Sequence, residues 1–218
     1  MNRRFFILDK FNTWYDWRCL LTAKTMTLPE PKENYVSIDG AHGTLDFTEA
    51  LTGSTPYNDR KITASFNCSE GSHKDREALL RKIRTALHGR KIQIIEPDDQ
   101  DHYFLGRAKI TAENNTAAYM EFTIEATCDP WRYAINETTR AVTVSGSPVA
   151  VVINNHGDKT LCPVLTVTGS VVISFNGTTV ELTAGDYKVT DLQLAHGTNV
   201  VNVSGTGGVV FTYREAML

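Results

Sequence analysis

No apolar run in the sequence approaches the roughly 20 residues that an α-helix needs to cross a bilayer, so a helical membrane span is excluded. The opening MNRRFFILDKF sets basic residues before an apolar patch, but Phe5–Leu8 is too short for a signal-peptide core. Cysteine is scarce: Cys19, Cys68, Cys128 and Cys162 stand far apart. They form no C-x-x-C pair and have no histidine at zinc-finger spacing, which excludes the common zinc modules and dithiol redox motifs. Each reads as a structural thiol, behaving as a small buried hydrophobe. Charge of neither sign is in large excess; the net charge of −3 and pI near 6.1 argue against a general nucleic-acid or anionic-membrane binder. The 218 residues, 41% hydrophobic and 22% charged, suit a soluble, intracellularly made protein of one large or two small domains.

Catalytic signatures are missing as well. The sequence has no G-x-S-x-G elbow, P-loop, H-E-x-x-H or dinucleotide fingerprint. The six histidines (His42, His73, His88, His102, His156, His196) are scattered over predicted loops and helix ends. The Gly-rich GTGG at 205–208 precedes a predicted strand, so it offers no helix N-terminus to a phosphate. The expectation is a protein without catalytic residues, cofactor or metal.

What the sequence does have is period-two alternation. In KITASFNC, Ile62, Ala64, Phe66 and Cys68 share one face; in YMEFTIEATC, Met120, Phe122, Ile124, Ala126 and Cys128 do the same, and RAKITA repeats the pattern. These are half-buried antiparallel strands with one wet face. SHKDREALLRKIRTALHG breaks the rhythm: Leu79 or Leu80, Ile83 and Leu87 recur at helical spacing, with Ser72 as N-cap, Asp75 three residues on and Gly89 after the last turn. This predicts one amphipathic helix over about 73–88, its Arg-rich face solvated. After CDPWRY the chain turns rich in Val, Thr, Gly and Asn, and VVISFNGTTVEL marks a hairpin with Asn176-Gly177 in a type I′ turn. A small β-sandwich is expected there, giving domains 1–137 and 138–218.

One stretch asks for separate treatment. IEPDDQDHYF, 95–104, crowds acids and a histidine between apolar flanks. Pro97 cannot continue a central strand, so Asp98, Asp99 and Asp101 are expected in a hairpin loop. The Gly and Glu of an EF-hand frame are absent, and a charged turn accounts for the acids.

The run ALLRKIRTALHGRKIQIIEPDDQDHYFLGRAKI, ending later in EFTIEATCDPWRY, resembles the N-terminal domain of siphophage distal tail (Dit) proteins. So do GAHGTLDFTEALTGSTPYNDRKITASF and the aromatic opening NTWYDWRCLLT, so that the likeness spans most of residues 10–133 in order. The C-terminal part resembles the family more weakly, in L-x-L-A-H-G-x-N (192–199) and FTYRE.

The resemblance implies a mainly β protein: an N-terminal antiparallel β-sandwich or barrel with one packed helix, and a small galectin- or carbohydrate-module-like C-terminal sandwich. It implies a structural hub in the virion tail tip, made in the bacterial host cytoplasm. Distal tail proteins form a ring, usually a hexamer, that docks the tail-tube protein on one side and the tail-tip protein on the other. Tape measure protein and then DNA pass through the lumen, and no membrane is involved. Under this reading Trp14, Tyr15, Trp17, Asp98, Asp99, Asp101 and Tyr103 are the candidate interface residues. The aromatics among them are equally suited to packing on the domain's own sheet. Asp46, Arg60 and Arg107 match recurring polar positions and are expected to pair structurally at strand ends. A second reading makes the C-terminal sandwich a carbohydrate- or receptor-binding module for host cell-wall recognition. Against it, the sandwich has few aromatics, and Phe211 and Tyr213 sit on a strand face expected to be buried.

Overall fold

A computed structural model of the chain describes residues 5–218. They divide into two compact units, one running through Arg132 and the other covering Tyr133–Leu218. In chain order the first unit contains β1 (Ile7–Leu8), β2 (Phe11–Asn12), β3 (Leu20–Met26), β4 (Tyr35–Ser37), β5 (Thr44–Asp46) and β6 (Arg60–Cys68). Helix α1 (His73–Leu87) follows, then β7 (Lys91–Glu96), β8 (Asp99–Asn115) and β9 (Met120–Ala134), whose last two residues already belong to the second unit. The main sheet runs β2-β1-β7-β8-β9-β6-β3, while β4 and β5 pair only with each other.

The alternating segments fold as their period dictates. β6 buries Ile62, Ala64, Phe66 and Cys68 and leaves the intervening residues at least partly wet. Its neighbour β9 lies antiparallel with Phe66 opposite Phe122, and the two rings stack at 5.3 Å. Phe6 meets Phe66 edge-on at 6.1 Å, so three aromatics occupy the centre of this core. Helix α1 adds Leu80, Ile83 and Leu87, all buried, each contributing about 1.5–3 kcal/mol relative to exposure. Its start is a full capping box: Asp75 N–H donates to Ser72 Oγ at 3.2 Å and Ser72 N–H to Asp75 Oδ2 at 3.0 Å. Gly89, with φ +77°, takes the left-handed position just past the cap residue His88.

The solvated Arg-rich helix face needs one correction. Arg76 is buried, and its guanidinium donates to the carbonyls of Gly71 (2.6 Å), Thr116 (2.9 Å) and Ala117 (2.8 Å) and to Asn115 Oδ1 (3.2 Å). A planar fork of donors satisfies several main-chain acceptors at once, which a lysine could not do. Arg81 and Arg84 on the same helix are exposed as expected.

The second unit contains β10 (Thr138–Asn155), β11 (Val164–Phe175), β12 (Thr178–Tyr187), β13 (Gly197–Tyr213) and β14 (Ala216–Met217). The first four form one antiparallel sheet in the order β10-β13-β11-β12. The Asn176-Gly177 turn is as predicted, with φ +47° and +84° and Phe175 opposite Thr178. The expected series of short strands is corrected: the strands are long, and GTGG lies inside β13 rather than before a strand.

The glycines explain how long strands build a sandwich. Gly146 faces Gly205 across β10–β13, and Gly169 faces Gly207 across β11–β13. Register shifts fall at the same level, between Gly146 and Val149 and between Val167 and Ser170. The sheet folds across this belt, since Val209, Phe211 and Tyr213 on one side join Val201, Val203 and Ile173 on the other in a single core. The A-H-G-x-N segment is a structural turn: Asn199 Oδ1 accepts from Ala195 N–H at 3.0 Å, and Asn199 Nδ2 donates to Ala195 O at 2.9 Å.

Candidate functional site

The acidic stretch forms the tip of the β7–β8 hairpin, but the turn is tighter than the sequence suggested. Glu96 pairs with Asp99, leaving only Pro97 and Asp98 between the strands, so Asp99 and Asp101 belong to β8 and not to a loop. Asp98 accepts from Lys24 Nζ at 2.8 Å, and the same ammonium pairs with Glu96. Lys24 lies on β3, the far edge of the sheet, with β8, β9 and β6 between it and β7. The hairpin tip therefore ties down the opposite edge of a rolled sheet. Burial lowers the basicity of Lys24, but its bonds to Asp98 and Glu96 outweigh this and hold the ammonium above its usual range.

Asp99 has a different set of partners. Its carboxylate meets His102 Nδ1 at 2.9 Å and accepts from Arg132 at 3.1 Å and from Asp101 N–H at 3.3 Å. Burial raises its pKa, but His102, the Asp101 amide and Arg132 together hold it below the usual carboxylate range. Arg60 sits beside this network, 4% exposed, with its guanidinium 5.0 Å from the Phe104 ring centroid. Its Nε and Nη2 make no hydrogen bond among the described residues, and burial and the nearby Arg132 charge lower its basicity. The expected pairing of Arg60 at a strand end is corrected accordingly. Arg107 bonds the Gly89 carbonyl and Asp46 accepts from Thr48 N–H at 2.9 Å, so both serve the main chain.

The aromatic group of the N-terminal region divides. Trp17 is buried and stacks on Phe11 at 5.5 Å, so its ring belongs to the unit's own core and not to an interface. Tyr15 is 65% exposed, and Trp14 is half-buried with the Arg18 guanidinium 5.7 Å from its ring. Asn12 Oδ1 holds this turn by accepting from the Trp14 and Tyr15 amides at 3.0 and 2.9 Å. Asp98 and Asp101 are exposed, and Tyr103 is half-buried.

Sequence reasoning missed the most conspicuous surface. Residues 27–59 leave the sheet after β3 and return at β6, forming an arm whose only strands are β4 and β5. Leu28 (81%), Tyr35, Val36, Ile38, Leu45, Phe47 and Leu51 (98%) are all exposed on it. Pro31 bridges Tyr57 at the root, and Tyr57 meets Trp131 edge-on at 5.7 Å. A two-stranded hairpin with so little of its own core is marginal in water, and clustered exposed apolar side chains mark a contact surface. The signal was in the sequence: apolar residues spread through a long Gly- and Pro-punctuated segment without a sustained period.

Among the described residues no group of three or more His, Cys, Asp or Glu is placed to hold a metal ion, and no helix is long and apolar enough to cross a membrane. In the second unit Phe175, Phe211 and Tyr213 are buried, and Tyr213 Oη donates to Asn154 O at 2.7 Å. These rings are therefore spent on the core and present no flat platform to a sugar.

No known protein-family profile matches the sequence, and no curated protein matches it. Among solved structures, the chain is similar to the Dit (gp 19.1) protein of SPP1, described as a paradigm of the hub adsorption apparatus in phages that infect Gram-positive bacteria. The TM-score is 0.70 at 17% sequence identity, and the match covers 99% of each chain. Along nearly its whole length, the chain has the fold of that protein.

Proposed function

We propose that this protein is a phage distal tail hub component that assembles with copies of itself into a closed ring, a hexamer, at the end of the tail tube. The observation that carries the reading is the shared fold with SPP1 Dit over 99% of both chains, a match to a hub protein and not to an isolated module. The exposed arm supports self-assembly. It holds the kind of apolar surface that a neighbouring copy covers, and a heterologous contact that closes on rotation produces a ring. In the assembly the tail-tube protein docks on one side and the tail-tip protein on the other, and tape measure and DNA pass through the lumen. Trp14, Tyr15, Asp98, Asp101 and Tyr103 are proposed as additional contact residues. The first unit builds the ring, and the second faces peripheral tail parts. The role is structural, without catalysis.

Native mass spectrometry with negative-stain imaging tests the reading. The monomer is 24.2 kDa, so a ring gives a clean multiple of that mass with a visible central hole. Replacing Leu45 and Phe47 together with serine should leave the chain folded but collapse the ring to monomers. A chain that stays monomeric and binds neither tube nor tip protein overturns the proposal. Binding of host cell-wall polysaccharide by such a monomer would replace it with a receptor-binding role.

A further inference from the structure

Two of the four cysteines, separated by nearly fifty positions in sequence, are neighbours in the fold. Register between β3 and β6 places Leu20 opposite Asn67. One step further along both chains are Cys19 and Cys68, so they form the next cross-strand pair. Both are buried, at 0% and 2% exposure, in the same core. Both thiols donate to one acceptor, the Trp17 carbonyl, at 3.4 Å from Cys19 and 3.8 Å from Cys68. Cys19 N–H donates to Thr13 O at 2.9 Å and not across to β6. The pair thus takes the non-hydrogen-bonded arrangement, in which opposed Cα atoms lie about 4.5 Å apart. That spacing is within the range a disulfide spans without backbone movement.

We propose that Cys19 and Cys68 are a disulfide site, reduced in the structure described and closed by oxidation, that staples β3 to β6 at the end of the strand pair remote from the arm. The bond would join the residue before β3 to the last residue of β6 and close a loop that contains both strands and the arm between them. It would fix edge strand β3 to its neighbour at the end opposite the one where the arm departs, beside the Met26–Ile62 pair. β3 ends the strand order of the sheet, and fraying of an edge strand supplies a small oxidant with access to buried sulfur.

The chemistry balances with a hydroperoxide as oxidant. A thiolate attacks the peroxide, its O–O bond breaks, and a sulfenic acid and hydroxide form. The second thiol then attacks the sulfenic sulfur, the S–S bond forms, and water leaves; two thiol hydrogens and two electrons have gone to the peroxide. The nearness of the two thiols suits this order of events, because Cys19 holds the Cys68 thiol below its usual pKa, while Cys68 and burial push that of Cys19 up. Cys128 does not compete: it lies opposite Arg60 at the other end of β6, and burial raises its pKa. Cys162 lies in the second unit, where its thiol donates to Val189 O at 3.1 Å.

The test uses the full chain, reduced and then exposed to hydrogen peroxide under native conditions. Expected are a fall from four titratable thiols to two, a mass loss of about 2 Da for the two hydrogens, and a tryptic peptide joining Cys19 to Cys68. The melting temperature of the first unit should rise by at least about 5 °C, since the closed loop is long. Dithiothreitol should reverse all of this. Cys128→Ser with Cys162→Ser should leave the cross-link intact, while Cys19→Ser should abolish it. Oxygen-addition products at Cys19 or Cys68 without a joined peptide, or cross-links between copies in their place, would overturn the proposal.

Discussion

Replacing Gly207 with alanine should be the most damaging single-methyl change in the second unit. The residue has φ +151°, and a Cβ added there would stand 1.9 Å from the Thr168 carbonyl oxygen, where ordinary contact begins at 3.4 Å. Strands β11 and β13 would have to separate by roughly 1.5 Å at the fold of the sheet to remove the overlap. Overpacking of this kind costs about 1–3 kcal/mol, and the positive φ adds about 1–3 kcal/mol. A total of about 2–6 kcal/mol is a large fraction of the stability of a unit this small, and corresponds to a fall in melting temperature of roughly 10–50 °C. Gly177→Ala is the matched control. Its φ is +84° with nothing within 4 Å of the added Cβ, so only the conformational cost of about 1 kcal/mol applies. The tryptophans separate the two units in the assay: Trp14, Trp17 and Trp131 all lie in the first unit, so their fluorescence reports on that unit. Far-UV circular dichroism reports on both. Gly207→Ala should bring the second unit's transition down in circular dichroism and leave the tryptophan transition in place. If Gly207→Ala lost no more stability than Gly177→Ala, the glycine belt would not be the reason the sheet folds over.

Other changes separate buried from surface electrostatics. Arg76→Met should cost about 3 kcal/mol in chemical denaturation, because three main-chain carbonyls lose a charged donor; Arg76→Lys should recover only part of this. Arg60→Met should be neutral or stabilising in the same assay, since a buried guanidinium with unbonded nitrogens is replaced by an apolar chain; a loss above about 2 kcal/mol would mean Arg60 has partners not seen here. Asp99 titrates lower in the folded protein than in the unfolded chain. Its stabilisation is therefore complete above the unfolded value of about 3.9 and is lost as pH falls through the folded value. Asp99→Asn should accordingly cost on the order of 1 kcal/mol at pH 7, and the gap from wild type should close in acid melts; a gap unchanged near pH 2 would refute the assignment.

Much of the local structure was determined by the sequence itself. Alternation in KITASFNC and YMEFTIEATC placed β6 and β9 and their buried faces, because side-chain direction in a strand depends only on position parity. Ser72, Asp75 and Gly89 set the ends of α1, and Asn176-Gly177 set its hairpin turn, because caps and tight turns are decided by residues a few positions apart. Tertiary structure decided what depends on partners distant in the chain. Arg76 was read as surface because its acceptors, Gly71 apart, lie some 40 residues away. Trp17 was a candidate for an interface until Phe11 and the core claimed it. Cys19 and Cys68 were isolated thiols until register made them neighbours. Lys24 acquired its acidic partners only when the sheet rolled and brought edge strand β3 to the β7–β8 turn. The arm, too, was visible only as a segment without period, and the fold alone left its apolar side chains uncovered.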